Sequence, residues 1–195
     1  MVTFVLATAN VHKAEEIRQV LEPYAVELLA RPSEVGDVGE TEDTLEGNAL
    51  LKARALTDAT GLPAIADDTG LFIDALEGRP GVYSARYAGE SATFADNVQK
   101  ALRELDGVDD AHRSARFRSV VAVAYPDGTS WWVQGELEGA ILREPVGAGG
   151  FGYDVIFAPS NNGGLSLAQL APEQKNAISH RGQALRAFAE KLGGS

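Results

Sequence analysis

Asp67-Asp68-Thr69-Gly70 follows the apolar run at residues 63–66. A buried strand that ends in two carboxylates, with a glycine to turn the chain at once, is how open α/β sheets deliver acids into a site. Adjacent acids in such a place point to a hard cation such as Mg²⁺, a general base, or both. Alternation along a strand sends the two side chains to opposite faces. Asp68 is assigned to the ligand. The alternative is a turn device, because aspartate bonds readily to nearby backbone. Against it stands the repulsion of two acids that no cation compensates.

Other residues suit a polyphosphate. Thr8-Ala9-Asn10-Val11-His12-Lys13 joins an apolar strand to a helix. Such a turn aims backbone N–H groups and the positive helix end at one point, and Lys13 adds a full charge. The plainer reading makes Asn10 a helix cap and Lys13 a solvated side chain. Glu40, Glu42, Asp43 and Glu46 lie before or at the start of the next helix, where acids are favoured anyway. Glu40 is the one expected to complete a cation site with Asp68. Lys52, further along that helix, is placed to reach a phosphate.

Gly150-Phe151-Gly152-Tyr153-Asp154 sets a ring between two glycines. Glycine allows close backbone approach, and an exposed Phe stacks on a flat base. A tight turn with Phe151 in the core is the competing reading. Lys175 and the run Ser179-His180-Arg181-Gly182 offer donors for a purine carbonyl or a phosphate, with Ser179 a candidate helix cap.

The elements that must position these groups read as mixed α/β. Residues 2–7 form a buried strand, 13–21 a helix, 26–30 a second strand and 36–43 an acidic loop. A helix is expected over 44–60 and the acid-bearing strand over 64–66, with extended chain at 71–76. Residues 91–105 read as a helix with Phe94, Val98, Ala101, Leu102 and Leu105 inward. A hairpin is expected from 115–125 and 130–142 around Pro126-Asp127-Gly128. Short and final helices follow at 172–178 and 182–192. Units of βα type followed by a hairpin predict a mixed sheet, and no linker divides residues 1–195.

With 195 residues, 45% hydrophobic, the chain can bury a full core. The net charge of -11 argues against sequence-independent binding to DNA or RNA. No cysteine is present, which excludes disulfides, thiolate metal sites and cysteine nucleophiles. The apolar N-terminal run is short and lacks a positive leader, and no run approaches the ~20 apolar residues of a membrane span. The expectation is a cytoplasmic protein with a small-molecule partner, no nucleic acid and no membrane.

Five segments together resemble the noncanonical purine nucleoside-triphosphate pyrophosphatases, the inosine/xanthosine triphosphate house-cleaning enzymes. They are the Thr8–Lys13 turn; Glu40 through Asn48-Ala49 to Lys52-Ala53; Ala66-Asp67-Asp68-Thr69-Gly70-Leu71 with Pro80-Gly81-Val82-Tyr83-Ser84-Ala85-Arg86-Tyr87; Gly150–Asp154; and Ser179-His180-Arg181-Gly182. Each is weak alone, but their order and spacing over nearly the whole chain are specific.

The resemblance implies hydrolysis of ITP, dITP or XTP to the monophosphate and pyrophosphate, with Mg²⁺. It implies Asp68 as general base and metal-linked acid, with Glu40 sharing the metal. Thr8, Ala9, Asn10, Val11, His12 and Lys13 would hold the triphosphate, with Lys52 in support and Thr69 touching substrate. Phe151 would stack on the base, with Gly152, Tyr153 and Asp154 shaping its pocket. Lys175, His180 and Arg181 would contact base or phosphate. The implied fold is an elongated mixed, twisted α/β sheet with flanking helices, in two lobes around a central cleft, in a homodimer. Three positions depart from the family pattern: Thr69 for serine, Val155 for proline and Gly47 for an acid. The competing functions are a pyrophosphatase of other modified nucleotides, a nucleotide sensor without turnover, and a phosphatase releasing orthophosphate.

Overall fold

The computed structural model describes residues 2–36 and 38–194. Asp37, within the loop expected at 36–43, lies outside the described residues, as do Met1 and Ser195 at the ends of the chain. The strands are β1 (Val2–Leu6), β2 (Val26–Leu29), β3 (Ala64–Ile73), β4 (Pro80–Gly81), β5 (Ser114–Ala124), β6 (Ser130–Ile141) and β7 (Phe157–Pro159). The α-helices are α1 (Val11–Leu21), α2 (Leu45–Thr60), α3 (Phe94–Glu104), α4 (Pro172–Ile178) and α5 (His180–Gly193). The sheet has the order β2-β1-β3-β5-β6-β7, with β4 on β3. It is mixed: β1 runs parallel to β2 and β3, whereas β4 on β3 and β7 on β6 are antiparallel. The mixed α/β expectation is met.

The chain forms two compact units. The first holds the chain through Asp68, Ser119–Gly135, and His180 onward. Its core packs Phe4, Leu6 and Ile65 against Ala14, Ile17 and Leu21 of α1 and Leu185 and Phe188 of α5. Phe188 is gripped by the rings of Phe4 and Trp131, at centroid distances of 5.6 and 5.5 Å. A second core lies under α2, where Ala53 and Leu56 meet Val5, Ala64, Ala66 and Ala124. The alanines let this helix lie close to the strands. Thr44 caps its first turn through Gly47 N–H, and Gly61, at φ +68°, ends it in the left-handed region.

The second unit comprises Thr69–Arg118 and Glu136–Ser179. Its core joins Leu71 and Ile73 to Val98 and Ala101 of α3, to Leu105 at the end of that helix, and to Phe117, Ile156 and Phe157. Helix α3 starts from a reciprocal cap: Thr93 Oγ1 accepts the Asp96 N–H (3.2 Å), and Asp96 Oδ2 accepts the Thr93 N–H (2.8 Å). Buried Arg113 donates to the carbonyls of Leu105, Ile141 and Leu142, so each of its three guanidinium nitrogens finds a backbone acceptor.

Three expectations need correction. The chain does not turn at Gly70: β3 runs straight through both acids to Ile73. Glycine is there because β4 comes close, and a Cβ would lie 2.7 Å from the Gly81 carbonyl oxygen. The last helix begins at His180 and not at Gly182, so His180 and Arg181 occupy its first turn. Phe94 is not inward. It is 44% exposed, because α3 projects past the core at its first turn.

Candidate active site

In the first unit the turn after β1 is built by its own side chains. Thr8 Oγ1 accepts the Asn10 N–H (3.1 Å), and Asn10 Oδ1 accepts the N–H groups of His12 (3.0 Å) and Lys13 (3.3 Å). Asn10 is therefore the cap of α1. Lys13 is not a solvated side chain: its Nζ lies 3.1 Å from Asp67 Oδ2.

β3 alternation separates the two acids as expected. Asp67 Oδ2 faces Lys13 and also Arg181 Nε at 3.2 Å. Arg181 Nη1 in turn meets Glu16. Burial opposes the charge on Asp67, but Lys13, Arg181 and Lys52 outweigh it and hold the carboxyl well below the usual carboxylate range.

Asp68 takes a different cation. Its Oδ1 lies 2.7 Å from Lys52 Nζ, which also lies 3.0 Å from Glu40 Oε1. Burial pushes the Asp68 carboxyl up to about 6; Lys52 and Lys13 oppose this and Glu40 adds to it. Burial lowers the Lys52 ammonium, but Asp68, Glu40 and Asp67 more than compensate, and it is raised overall.

Asp68 Oδ2 is buried and has no hydrogen-bond partner among the described residues. The Asp68 and Glu40 carboxylates form a donor set that already holds one positive charge, with Lys52 on Asp68 Oδ1 and Glu40 Oε1. No group of three or more His, Cys, Asp or Glu among the described residues could cage a metal. Mg²⁺ in nucleotide enzymes is commonly held by one or two carboxylates plus phosphate oxygens. The residues present fit that kind of site.

Asn48, which the sequence offers only as part of the Glu40–Ala53 segment, has a task in the site. It is fully buried in α2, and its Oδ1 accepts the Glu42 N–H (3.0 Å), tying the stretch after Glu40 to the helix. A buried amide inside a helix is its signal, because Asn is a poor interior choice without a task. Gly47 serves the same fit, since a Cβ there would lie 2.7 Å from Glu42 Cβ. Gly135 does so for α5, where a Cβ would overlap the His180 carbonyl.

The second unit carries the Phe151 turn. Half-buried Phe151 donates its N–H to Asp154 Oδ2 (2.8 Å), and the same oxygen meets Lys175 Nζ at 2.5 Å. Lys175 Nζ also sits 4.8 Å from the Phe151 ring centroid, a cation–π distance. Gly150, at φ +65°, has no room for a Cβ against the Asp154 carboxylate. Tyr153 donates its hydroxyl to the Ser84 carbonyl (2.9 Å), and burial pushes its phenol upward. Thr69 is half-buried at the start of this unit.

Thr8, Asn10, Lys13, Glu40, Lys52, Asp68 and Arg181 thus share one unit with Asp67. Phe151, Gly152, Tyr153, Asp154 and Lys175 share the other. Ala9, Val11 and His12 complete the Thr8–Lys13 turn, with Val11 73% exposed. His180 is buried in the first turn of α5.

Known proteins match this chain over nearly all of their length. A protein of Nitratidesulfovibrio vulgaris named dITP/XTP pyrophosphatase is 48% identical, over 96% of this chain and 94% of its own. One of Geobacter sulfurreducens with the same name is 46% identical, over 99% and 98%. The solved structure of a HAM1 protein from Coxiella burnetii superposes with a TM-score of 0.90 at 42% identity, covering 100% of both chains. The Ham1 family model matches residues 4–191, from the first strand into the last helix, and the chain belongs to the Ham1 family.

Proposed function

We propose that this chain hydrolyses noncanonical purine nucleoside triphosphates (ITP, dITP and XTP) to the monophosphate and pyrophosphate, and so cleanses the nucleotide pool. The chain is an enzyme of the nucleoside-triphosphate pyrophosphatase class. The observation that carries the reading is the state of Asp68: a buried carboxyl at about 6, beside Lys52 and Glu40, with Oδ2 uncommitted. A general base works best with a pKa near the operating pH. The names borne by relatives nearly half identical support the substrate class.

Each residue then has a task. The Thr8–Lys13 turn and Lys13 receive the triphosphate. Glu40 and Asp68 would hold Mg²⁺, which when bound neutralises phosphate charge and lowers the pKa of its water. Asp68 accepts a proton from the attacking water. The water oxygen bonds to the α-phosphorus, the bridge to the β-phosphate breaks, and pyrophosphate leaves with the bridging oxygen. Lys13 and Lys52 balance the charge on that leaving group. Asp67 keeps Lys13 and Arg181 in place.

Phe151 stacks on the base, and the Lys175–Asp154 pair fixes its turn. Donors set for a 6-oxo group are left unpaired by a 6-amino group, a rejection worth ~10⁴-fold in favourable sites. GTP carries the 6-oxo group too, so its exclusion rests on the 2-amino position. The reading includes a cytoplasmic homodimer, which sedimentation of the purified protein checks for stoichiometry.

The test is turnover of ITP, XTP, GTP and ATP with Mg²⁺, assaying phosphate with and without added inorganic pyrophosphatase. Pyrophosphate from ITP and XTP, with little from ATP and GTP, is the expected result. Orthophosphate released directly means a phosphatase. Binding without turnover means a sensor.

A further inference from the structure

Phe94 has no part in the reading above, yet its placement is unusual. A Phe left 44% exposed keeps apolar surface in water. It is the first residue of α3, immediately after the Thr93–Asp96 reciprocal cap, so its backbone is locked. It continues the inner stripe of α3 through Val98, Ala101 and Leu105, one turn beyond the core. There it meets the Phe151 turn. Its ring centroid is 5.9 Å from that of Phe151, with the planes at 43°. Its Cδ1 also lies 4.0 Å from where a Cβ at Gly152 would be.

This geometry decides what Phe94 can do. A base sandwiched between two rings needs them about 7 Å apart and parallel, two stacking distances, whereas aromatic neighbours at 4.5–7 Å and tilted touch each other directly. Phe94 therefore packs on Phe151. The restraints on Phe151 include its N–H on Asp154, Lys175 Nζ near its ring, and Phe94 beside it. The first two hold the backbone turn and the charge. Phe94 sets an apolar wall against the ring.

We propose that Phe94 is a positioning residue for base recognition: it fixes the Phe151 ring in its stacking orientation before the nucleotide arrives. This rests on the reading of Phe151 as the base platform. A preorganised ring loses less freedom on binding, so the gain falls on affinity for the base and not on the phosphate chemistry.

The experiment compares wild type, Phe94→Ala, Phe94→Leu and Phe94→Tyr. It measures kcat and KM for ITP, inhibition by inorganic tripolyphosphate, and thermal melting. An aromatic contact of this kind corresponds to about three- to tenfold in affinity. The expected result is a rise of that size in KM for ITP in Phe94→Ala, with kcat within about twofold, a smaller rise in Phe94→Leu, and wild-type KM in Phe94→Tyr. Tripolyphosphate, having no base, is expected to inhibit all four alike. Unchanged KM in folded Phe94→Ala, with active wild type, overturns the inference and leaves the proposed function standing. A parallel loss of tripolyphosphate inhibition also overturns it, because the effect is then general. Should Phe94→Ala fail to fold, Phe94→Leu against Phe94→Tyr decides. Wild type that neither turns over nor binds any purine triphosphate removes the proposed function and this inference with it.

Discussion

Asp67 and Asp68 are chain neighbours held in opposite electrostatic states. Asp67 faces two cations, Lys13 and Arg181, and is kept ionised. Asp68 shares a single lysine with Glu40, and burial raises its carboxyl to about 6. One strand, by alternation alone, sends one acid to the Lys13–Arg181 network and the other to the Lys52–Glu40 group proposed to carry the chemistry. Two carboxyls whose environments push them apart are how acid–base roles divide in enzymes.

Asp68→Asn is expected to abolish turnover and to stabilise the metal-free protein at neutral pH. The sign follows from linkage. A folded pKa raised from 3.8 to about 6 gives stability that is fully present below pH 3.8 and lost as pH rises through about 6. The amide has nothing to lose, and Glu40 remains beside Lys52. The variant's advantage should be small near pH 4 and grow to at most about 3 kcal/mol by pH 8. Urea unfolding in EDTA at several pH values measures it. A variant less stable than wild type at pH 8 would show that the Lys52 pair outweighs the burial of Asp68.

Asp67→Asn should do the reverse. It leaves Lys13 and buried Arg181 with less compensation, a loss of about 3–5 kcal/mol for a broken buried pair. Glu16 beside Arg181 limits the damage. Because the folded pKa of Asp67 is depressed, its contribution is present above the unfolded value near 3.9 and disappears as pH falls below it. The gap between wild type and variant should therefore close in acid. Unfolding from neutral pH down to about pH 2 should show the gap narrowing below about pH 4, and a gap independent of pH means the effect is steric.

Much of this was legible in the chain. Periodicity and punctuation gave the mixed sheet, the helices and the hairpin. Asn10 was readable as a cap, because a turn with short polar side chains before a helix has few other uses. The failures share a physical cause: they depend on a distant segment. Gly70 looks like a turn until β4 comes to lie against it. Phe94 fits the inner stripe of α3, but no local pattern says where the core stops. Arg181 reads as a basic donor near a helix start, and its partners Asp67 and Glu16 are 114 and 165 residues away in sequence.

Gly135→Ala tests whether the seat of α5 matters. A Cβ at this position would overlap the His180 carbonyl and lie 2.6 Å from the Ala184 nitrogen, backbone that does not give. Overpacking of this kind costs about 1–3 kcal/mol. The start of α5 carries Arg181, so displacing it should also disturb the Asp67–Lys13 pair and raise KM. The expected outcome is a lower melting temperature together with weaker triphosphate binding. A variant that melts as wild type does would mean that the helix shifts freely.

Lys175→Met separates packing from recognition in the Phe151 turn. Lys175 is 4% exposed, and its ammonium compensates the equally buried Asp154 carboxylate that accepts the Phe151 N–H. Removing the cation alone should destabilise by about 3–5 kcal/mol, because a buried charge is left uncompensated. Replacing both, Asp154→Asn with Lys175→Met, should recover most of that loss, since buried ion pairs are often nearly neutral against an uncharged substitute. ITP binding should not recover with it, because the single change and the double change both remove the ammonium from beside the Phe151 ring. Denaturant midpoints and KM for ITP, measured on the same three proteins, decide the matter. Recovery of both quantities in the double variant would mean that the pair only holds the turn. Recovery of stability alone would place Lys175 in the recognition of the base.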